Sequence, residues 1–393
     1  MTNRNLAVYA SFDTFPAPKG AAVHISHFAP ALFDFVGKGL LLTLGDYDYP
    51  KWQLEGNIEI KRLISPEENF LNKAMEFASF VYERVAEVKD NLRIAHFRDP
   101  WSGVPIIEAL NGKVPLVFEV NALPSVEISS RFSSVASSTL EKIREDELFC
   151  LEKADAIVCP SAVIKEFLVS LGVDGQKITV IPNGAVLNHP KFEPWPDAPN
   201  KYIIYIGAVQ AWQGIDVLMK AMTFLKDIPD LHLVICAAGA KPRIKYLQKL
   251  CARMEIDERV HWHLRQSQLE VQRWLQNSLI SIAPLTECER NLVQGCCPIK
   301  IVESMAAGIP VIASDMPVTR ELLQHRETGW LVRPDRPSEL ARAIRLLLAH
   351  EDDRIRIGAT ARQKVSENFT WEHSILKLQN VYGNLAGSLK LEV

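Results

Sequence analysis

The feature of this sequence that most restricts its fold is a regular alternation of short apolar runs with longer segments of helical periodicity. The first instance is "NLAVYASFD" at residues 5–13, then a loop "TFPAPKG", then "AAVHISHFAPALFDFVG". The same order recurs through "GLLLTLG", "LRIAHFR", "PLVFEV" and "DAIVCPS", with helical segments between them. Short strands that alternate with helices of this length predict an α/β protein with a parallel sheet covered on both faces.

The alternation is interrupted by a proline-rich stretch and then begins again. The stretch "LNHPKFEPWPDAPNKY" has four prolines in sixteen residues, which is typical of a connector. At 393 residues the chain is also longer than one hydrophobic core usually supports. We therefore predict two Rossmann-like domains that face each other across a cleft, at residues 1–190 and 191–372, with residues 373–393 as a C-terminal helix that crosses back to the first domain.

Composition narrows the function classes. The hydrophobic fraction is 48%, the charged fraction is 23% and the formal net charge is −3, which gives no electrostatic case for binding nucleic acid. The apolar runs are shorter than the ~20 residues of a membrane span, and "MTNRNLAVYA" is not a charged-then-apolar leader, so a cytoplasmic protein is expected. The seven cysteines lack zinc-site spacing, and reduced thiols are expected. A disulfide between the adjacent Cys296 and Cys297 would be strained, so packing or small size beside a ligand explains them better.

Three loops after predicted strands carry candidate site residues, because ligands bind at the carboxyl ends of strands in open parallel sheets. Gly20 in "FPAPKGAAVHI" and Gly207 in "IGAVQAWQGID" permit close approach of the backbone to a ligand. A plain tight turn explains the first of these loops equally well. In "HFRDPWSG", His96, Arg98 and Asp99 crowd polar groups at a strand end, where they are costly unless hydrogen-bonded or used in function.

The segment richest in candidate residues is "QGCCPIKIVESMAAGIPVIASD", at residues 294–315. Pro298 suits the first turn of a helix, so Lys300 and Glu303 would share one face of that helix near its N-terminus. Free N–H groups, the helix dipole and Lys300 would then form a diphosphate site, and Glu303 would accept hydrogen bonds from ribose hydroxyls. The alternative is a surface ion pair between the two side chains, worth only ~0.3–0.5 kcal/mol.

At these residues the sequence resembles the family-4 glycosyltransferases, which have the two-domain GT-B fold. The most specific match is "PIKIVESMAAGIPVIASD", followed by "TREL" and "ETGWLV", which is similar to the nucleotide-sugar site in the second domain of that family. "FPAPKGAAVHI", "EKADAIVCPS", "KITVIPNGA" and "GIDVLMKAM" extend the resemblance over nearly the whole chain. It implies an acceptor-binding first domain and a donor-binding second domain.

Two glutamates separated by seven residues mark the donor site of the family, and this sequence keeps one of them. Glu303 matches the second glutamate, which holds the ribose of the donor nucleotide. The first falls at Gly295, so its usual contact with the donor sugar must come from another residue. A subgroup of the family has the Pro-x-Lys pattern found here at Pro298 to Lys300, and the resemblance gives Lys300 a phosphate-binding and catalytic role.

The positive charge that faces the diphosphate also departs from the family pattern. Where the family usually has an arginine and a lysine after the first strand of the second domain, this sequence has Gln210 and Gln213. Lys300 and Arg290 are therefore the candidates for charge compensation. Base contacts are expected around "HLRQSQL", which contains Arg265. The predicted donor-binding residues are Gly20, Gly207, Gln213, Arg265, Arg290, Gly295, Cys296, Cys297, Lys300 and Glu303.

The first domain departs from the family at two histidine positions. Many members carry a histidine near the reacting sugar at the strand end matched by "HFRD", and Arg98 occupies that position here. Asn121 in "FEVNAL" also stands where a histidine is common. The predicted catalytic residues are Arg98, Asp99, Asn121 and Lys300.

The resemblance implies transfer of a sugar, with retained anomeric configuration, from a nucleoside diphosphate sugar to an acceptor hydroxyl. Fixed cationic and amide groups would stabilise the leaving diphosphate, and the lack of metal-ligand spacing predicts metal-independent transfer without a cofactor. The expected partners are the nucleotide-sugar donor and a glycan, lipid or small-molecule acceptor; peripheral contact with the inner face of a membrane is one option. Two alternatives stay open: a nucleotide-sugar epimerase on the same scaffold, and a non-catalytic protein that binds sugar nucleotides.

Overall fold

The computed structural model describes residues 4–131 and 135–388, which form two compact units. The last helix of the chain belongs to the first unit from Ser374 onwards, as predicted for a C-terminal helix that crosses back to the first domain. Within the described residues, the first unit takes in the chain up to Ala17, Ala21–Pro182 and the chain from Ser374, and the second unit takes in Pro18–Gly20 and Asn183–His373.

A mainly parallel sheet forms the centre of the first unit. In chain order its strands are β1 (Leu6–Thr14), β2 (Lys38–Leu44), β3 (Trp52–Glu55), β4 (Ile58–Leu63), β5 (Leu92–Phe97), β6 (Leu116–Glu119), β7 (Ala156–Cys159) and β8 (Ile178–Val180). Within the described residues these eight strands lie in the order β3-β4-β2-β1-β5-β6-β7-β8, and β3 alone pairs antiparallel, with β4. The parallel arrangement agrees with the sequence pattern, in which continuous apolar runs alternate with helical segments.

The order of the strands fixes where a ligand site can form in this unit. The strands β2 and β5 flank β1, so the chain leaves β1 toward one side of the sheet and later returns on its other side. The carboxyl ends of β1 and β5 therefore meet at the topological switch point, which is where open α/β sheets bind ligands. The helices of this part of the chain are α1 (Gly20–Val36), α2 (Phe70–Val88), α3 (Pro100–Leu110), α4 (Pro124–Arg131), α5 (Ser137–Lys153) and α6 (Ala162–Ser170).

The second unit repeats the design with a fully parallel sheet. Its strands are β9 (Tyr202–Ala208), β10 (His232–Ala238), β11 (Val260–Leu264), β12 (Ile280–Ala283), β13 (Val311–Ser314) and β14 (Trp330–Val332). They lie in the order β11-β10-β9-β12-β13-β14, so the switch point is between β9 and β12. The helices that follow are α7 (Ile215–Thr223), α8 (Lys241–Arg253), α9 (Gln268–Gln276), α10 (Ile299–Ala306), α11 (Pro317–Arg320), α12 (Pro337–Ala349), α13 (Glu351–Asn368) and α14 (Trp371–Ser388).

The proline-rich connector is held against α9 inside the second unit. Arg273 of α9 donates from Nε to the carbonyl of Glu193 at 2.7 Å, and its guanidinium carbon lies 3.9 Å from the ring centroid of Trp195. Asn277, just after α9, donates to the carbonyl of Phe192 at 3.1 Å. The chain passes from the first unit to the second after Pro182, before the connector begins.

None of the helices in residues 4–131 and 135–388 combines the length and the apolar character that a bilayer crossing requires.

Candidate functional site

Lys300 is the centre of a polar cluster in the second unit. A π-helical turn at Arg290–Gln294 and Gly295 lead into α10, whose N-cap is Pro298. Nζ of Lys300 donates to the hydroxyl of Tyr205, in β9, at 3.0 Å and to Oε1 of Gln213 at 2.5 Å. The same nitrogen lies 4.1 Å from the centroid of the Tyr205 ring. The end of β9 and the first turn of α10 therefore meet at the switch point of this sheet.

The hydrogen-bond partners of the Lys300 amine carry no charge that would balance a protonated amine. The side chain is buried, and both hydrogen-bond partners of Nζ are neutral oxygens. Burial lowers the pKa of Lys300 to about 7, with Cys296 and Glu303 opposing the shift and Arg290 adding to it. A surface ion pair with Glu303, the alternative considered from the sequence, is therefore not the arrangement that forms.

Glu303 lies one turn after Lys300 on α10 and is half-buried. Nε2 of Gln268, the first residue of α9, donates to its Oε1 at 2.6 Å. Its Oε2 accepts no hydrogen bond from the residues that the structure describes, and so it is available to a ligand. Burial raises the pKa of Glu303 to about 7, against the opposing effects of Gln268 and Lys300.

Two glycines shape the space around this cluster. Gly207 has φ of +126°, and a Cβ there would lie 3.1 Å from both Cε and Nζ of Lys300, so a side chain would push the amine away. Gly295 has φ of +92°, in the left-handed region that other residues rarely adopt. A glutamate at this position would be strained, which gives a physical reason why the first glutamate of the family pattern is missing.

The other predicted residues of the loop before α10 have structural contacts. Cys296 is buried, and the carbonyl of Cys297 accepts a hydrogen bond from Nδ2 of Asn183 at 2.8 Å. Neither cysteine forms a disulfide with another described residue, and burial raises the pKa of Cys297 to about 12, which disfavours the reactive thiolate. The guanidinium carbon of Arg290 lies 5.2 Å from the ring centroid of Trp212.

Gly20 lies beside the first turn of α10, since a Cβ there would be 3.3 Å from Cδ1 of Ile299, whereas no hydrogen bond joins Arg265 to this cluster in the described part of the chain. Gly20 is the exposed first residue of α1, and Arg265 is exposed just after β11 with φ of 56°. Their donor-binding roles stay predictions. Residues 4–131 and 135–388 also contain no group of three or more His, Cys, Asp or Glu side chains arranged to hold a metal. The residues that the structure brings together in the second unit are Tyr205, Gly207, Gln213, Gln268, Lys300 and Glu303.

Arg98 of the first unit is bound to a carboxylate that no sequence motif indicated. Glu119, the last residue of β6, is buried, and its Oε1 accepts from Nε of Arg98 at 2.6 Å. Nη1 of Arg98 donates to Oδ2 of Asp13 at 2.9 Å. Nδ2 of Asn121 also donates to Oε1 of Glu119. Glu119 therefore joins the two predicted catalytic residues Arg98 and Asn121.

Two histidines and a tyrosine complete the surroundings of Glu119. Nδ1 of His24 lies 3.2 Å from Oε1, Nε2 of His96 lies 3.2 Å from Oε2, and the Tyr9 hydroxyl donates to Oε2 at 2.7 Å. Burial alone would raise the pKa of Glu119, but His24, Arg98 and His96 hold it well below its usual value. Burial lowers the pKa of His24 to about 4 and also lowers that of His96. The carboxylate is ionised at neutral pH and both imidazoles are neutral.

Asp99, also predicted to be catalytic, caps the N-terminus of α3. Its Oδ1 accepts from the backbone N–H of Ser102 at 2.9 Å, and its Oδ2 accepts from that of Phe12 at 2.7 Å. Burial raises the pKa of Asp99 to about 6, against the effect of these hydrogen bonds. Both oxygens are thus used to join α3 to β1, and a catalytic role for Asp99 stays a prediction.

Substitutions of Asp99 separate capping from proton transfer. Asp99→Ala is expected to lower the free energy of unfolding by about 1–3 kcal/mol, because a cap is lost and the N–H groups of Ser102 and Phe12 lose their acceptor. Asp99→Asn keeps one acceptor and is expected to cost less, with kcat within about threefold of the wild type. Urea unfolding and steady-state rates measure both effects. A folded Asp99→Asn protein with kcat reduced by about 100-fold or more would instead assign proton transfer to Asp99.

The structure adds residues that sequence reasoning missed. Glu119 had a signal, since it is the acidic residue of the otherwise apolar run "PLVFEV", and a buried carboxylate must be paired. Tyr205 had none, because it contacts α10 from 95 positions away in the sequence. Gln268 lies in "HLRQSQL", where base contacts were expected, but its bond to Glu303, 35 positions away, was not predicted.

Two solved structures illustrate the fold that this chain shares. Sucrose-phosphate synthase from Thermosynechococcus elongatus has a TM-score of 0.80, covers 98% of this chain and 100% of its own, and is 21% identical. Anabaena HepE, solved with UDP-glucose, has a TM-score of 0.74 with 97% and 99% coverage at 17% identity. At such identities the likeness establishes the fold alone, and that fold is the GT-B fold of glycosyltransferases.

Family models place the chain within that class. The model described as Glycosyltransferase Family 4 matches residues 19–189, and the model described as Glycosyl transferases group 1 matches residues 190–364. The chain belongs to glycosyltransferase family 4. An uncharacterised glycosyltransferase of Methanocaldococcus jannaschii is 23% identical over 381 residues, covering 92% of this chain and 94% of the relative. A D-inositol 3-phosphate glycosyltransferase of Corynebacterium glutamicum is 24% identical over 292 residues, covering 69% of this chain and 67% of the relative.

Proposed function

We propose that this glycosyltransferase moves a hexose from a nucleoside diphosphate sugar to an acceptor hydroxyl, with retention of configuration and without a metal. The observation that carries the proposal is the buried amine of Lys300, which lies among neutral partners beside Gly207. An anion would supply the charge that this amine lacks. The acceptor class is a hydroxyl-bearing glycan, lipid or small molecule.

The diphosphate of the donor is the anion that this arrangement suits. A pKa of about 7 leaves Lys300 partly neutral at neutral pH. A diphosphate next to Nζ would favour the charged ammonium, which in turn would stabilise the negative charge that develops as the nucleotide leaves. Gly207 has no side chain, and so a phosphate oxygen can approach the end of β9 closely. Lys300 would thus supply the charge compensation that metal-dependent enzymes obtain from a cation.

Glu303 is the proposed ribose ligand. Gln268 already holds Oε1, which leaves Oε2 to accept from a ribose hydroxyl. The distance along α10 from Lys300 to Glu303 is three residues, about one helical turn, which is comparable to the separation between a diphosphate and the ribose next to it. Anabaena HepE has been solved with UDP-glucose, and this makes UDP-hexoses the first donors to try. Retention of configuration is proposed from the family resemblance.

A donor screen followed by product analysis tests the proposal. We expect UDP or another nucleoside diphosphate to raise Tm, and the matching nucleotide sugar to release that nucleoside diphosphate at an unchanged rate in excess EDTA. Nuclear magnetic resonance of the glycosylated product is expected to show the anomeric configuration of the donor. An isomerised donor with no free nucleoside diphosphate would establish an epimerase, tight donor binding without turnover would establish a binding protein, and loss of the rate in EDTA would refute metal independence.

A further inference from the structure

Hydrogen bonds hold two of the three nitrogens of the Arg98 guanidinium. Oε1 of Glu119 binds Nε of the guanidinium at 2.6 Å, while Asp13 takes Nη1 at 2.9 Å and the carbonyl of Ala21 lies 3.5 Å from the same nitrogen. Nη2 makes no hydrogen bond within residues 4–131 and 135–388. The guanidinium is planar, so fixing Nε and Nη1 also fixes the direction in which Nη2 points. Arg98 therefore presents one N–H-bearing nitrogen in a set orientation.

One further hydrogen bond and one close histidine contact hold Glu119 itself. Oε2 accepts from the Tyr9 hydroxyl and lies 3.2 Å from Nε2 of His96. Nδ1 of His96 is 2.7 Å from the hydroxyl of Tyr382, which belongs to α14. A continuous chain of contacts thus runs from the C-terminal helix through His96 and Glu119 to Arg98. All of its side chains are buried.

Stability alone does not account for this cluster. Taking a carboxylate and a guanidinium out of water carries a desolvation cost that their attraction often only just repays, and apolar side chains of similar volume are often as stabilising. What an ion pair adds is a defined geometry for a bidentate group. The residue whose geometry is defined is Arg98, at the position that the family resemblance places near the reacting sugar.

We propose that Glu119 is a positioning residue, which orients Arg98 so that Nη2 donates to an oxygen of the substrate, and that Tyr382 supports Glu119 through His96. The inference rests on the proposed transferase function. No bond to Glu119 is made or broken during the reaction; its carboxylate stays ionised and acts through Arg98. In the first unit this cluster would present the cationic side chain of Arg98 to the substrate, as the cluster in the second unit would present Lys300 to the donor.

The test compares kcat of purified full-length variants, each normalised to the number of donor-binding sites measured by calorimetry with the donor found active in the screen. Glu119→Gln removes the charge that holds Arg98, and we expect kcat to fall by about 100-fold while the donor Kd stays within about threefold. Tyr382→Phe removes one hydroxyl and leaves the charges of Glu119 and Arg98 in place, so it tests the support of Glu119 by Tyr382 with a smaller structural change. We expect its kcat to fall by about three- to tenfold. Glu141→Gln, an exposed change on α5, is the matched control and is expected to have no effect.

Chemical rescue distinguishes positioning from a merely structural role. Millimolar guanidinium should raise kcat of Arg98→Ala by about tenfold, because the free ion can occupy the place of the side chain beside Glu119, and should fail in the double variant Arg98→Ala/Glu119→Gln. Equal rescue of both variants, or an unchanged normalised kcat in Glu119→Gln and Tyr382→Phe, would overturn the inference while leaving the proposed function intact. A wild-type protein without any turnover would overturn the proposed function, and this inference with it.

Discussion

Lys300→Met is expected to slow sugar transfer severely and at the same time to make the protein more stable. Without the ammonium, the charge that develops on the leaving diphosphate loses its fixed partner, and kcat should fall by about 100- to 1000-fold. The apolar side chain suits the buried site better than an amine whose pKa burial has lowered to about 7. Function and stability are thus expected to move in opposite directions at one residue.

The stability gain has a definite pH dependence. Lys300 binds its proton up to its ordinary pKa of 10.5 in the unfolded chain but only up to about 7 in the folded protein. The unfolded state therefore binds more protons between these values, so the penalty is complete below pH 7 and shrinks as the pH rises toward 10.5. Lys300→Met should raise the free energy of unfolding by about 2–5 kcal/mol at pH 7 and by progressively less at higher pH.

Urea unfolding at several pH values and steady-state kinetics check both halves of this prediction. Lys245→Met, an exposed change on α8, is the matched control and should alter neither quantity. A Lys300→Met protein that transfers sugar at the wild-type rate would show that Lys300 takes no part in the reaction. One that gained no stability at pH 7 would show that the amine is solvated in the folded protein.

Glu303→Ala has the second largest expected effect, and it falls on donor binding. Hydrogen bonds from ribose hydroxyls to a carboxylate contribute about 1.5–3 kcal/mol each, so losing up to two of them should lower kcat/KM by about 100-fold or more. Glu303→Gln keeps one acceptor oxygen, and an intermediate loss is expected. Most of the change should appear in KM for the donor, because the ribose is remote from the bond that breaks.

The control for this prediction is Glu327→Gln, an exposed change in the same unit. Kinetics with varied donor concentration and calorimetry with the free nucleoside diphosphate measure the effect twice. Loss of kcat with an unchanged donor KM would show that Glu303 acts at the reacting centre and not on the ribose. An unchanged kcat/KM would show that Glu303 does not belong to the donor site.

Much of the fold could be predicted because it is encoded locally. Parallel strands buried on both faces read as continuous apolar runs, and the helices between them keep their own periodicity. The junction between the halves is encoded less directly. The sequence pattern placed it at the proline-rich stretch, at residues 190 and 191, whereas the chain passes between the units after Pro182. The stretch lies inside the second unit because Arg273 and Asn277, some eighty residues later, hold it there.

The candidate site divides in the same way. Lys300 and Glu303 could be found because their spacing on one helix and their resemblance to a known motif are both local features. The burial that shifts the pKa of each to about 7 was not predictable, since it depends on β9 and α9 packing over α10. Glu119 stood out as the acidic residue of an apolar run, but its role was not predictable because its partners Tyr9, His24 and Arg98 lie far from it in the sequence.

The central claim is that the donor nucleotide binds at α10, with its diphosphate on Lys300 and its ribose on Glu303. An experimental structure of the protein with UDP, or with whichever nucleoside diphosphate raises Tm most, tests this directly. We predict a phosphate oxygen within hydrogen-bond distance of Nζ of Lys300 and a ribose hydroxyl donating to Oε2 of Glu303, with Gln268 still bound to Oε1. A nucleotide bound elsewhere, with Lys300 still bonded to Tyr205 and Gln213 and Glu303 contacting no ligand, would contradict the claim.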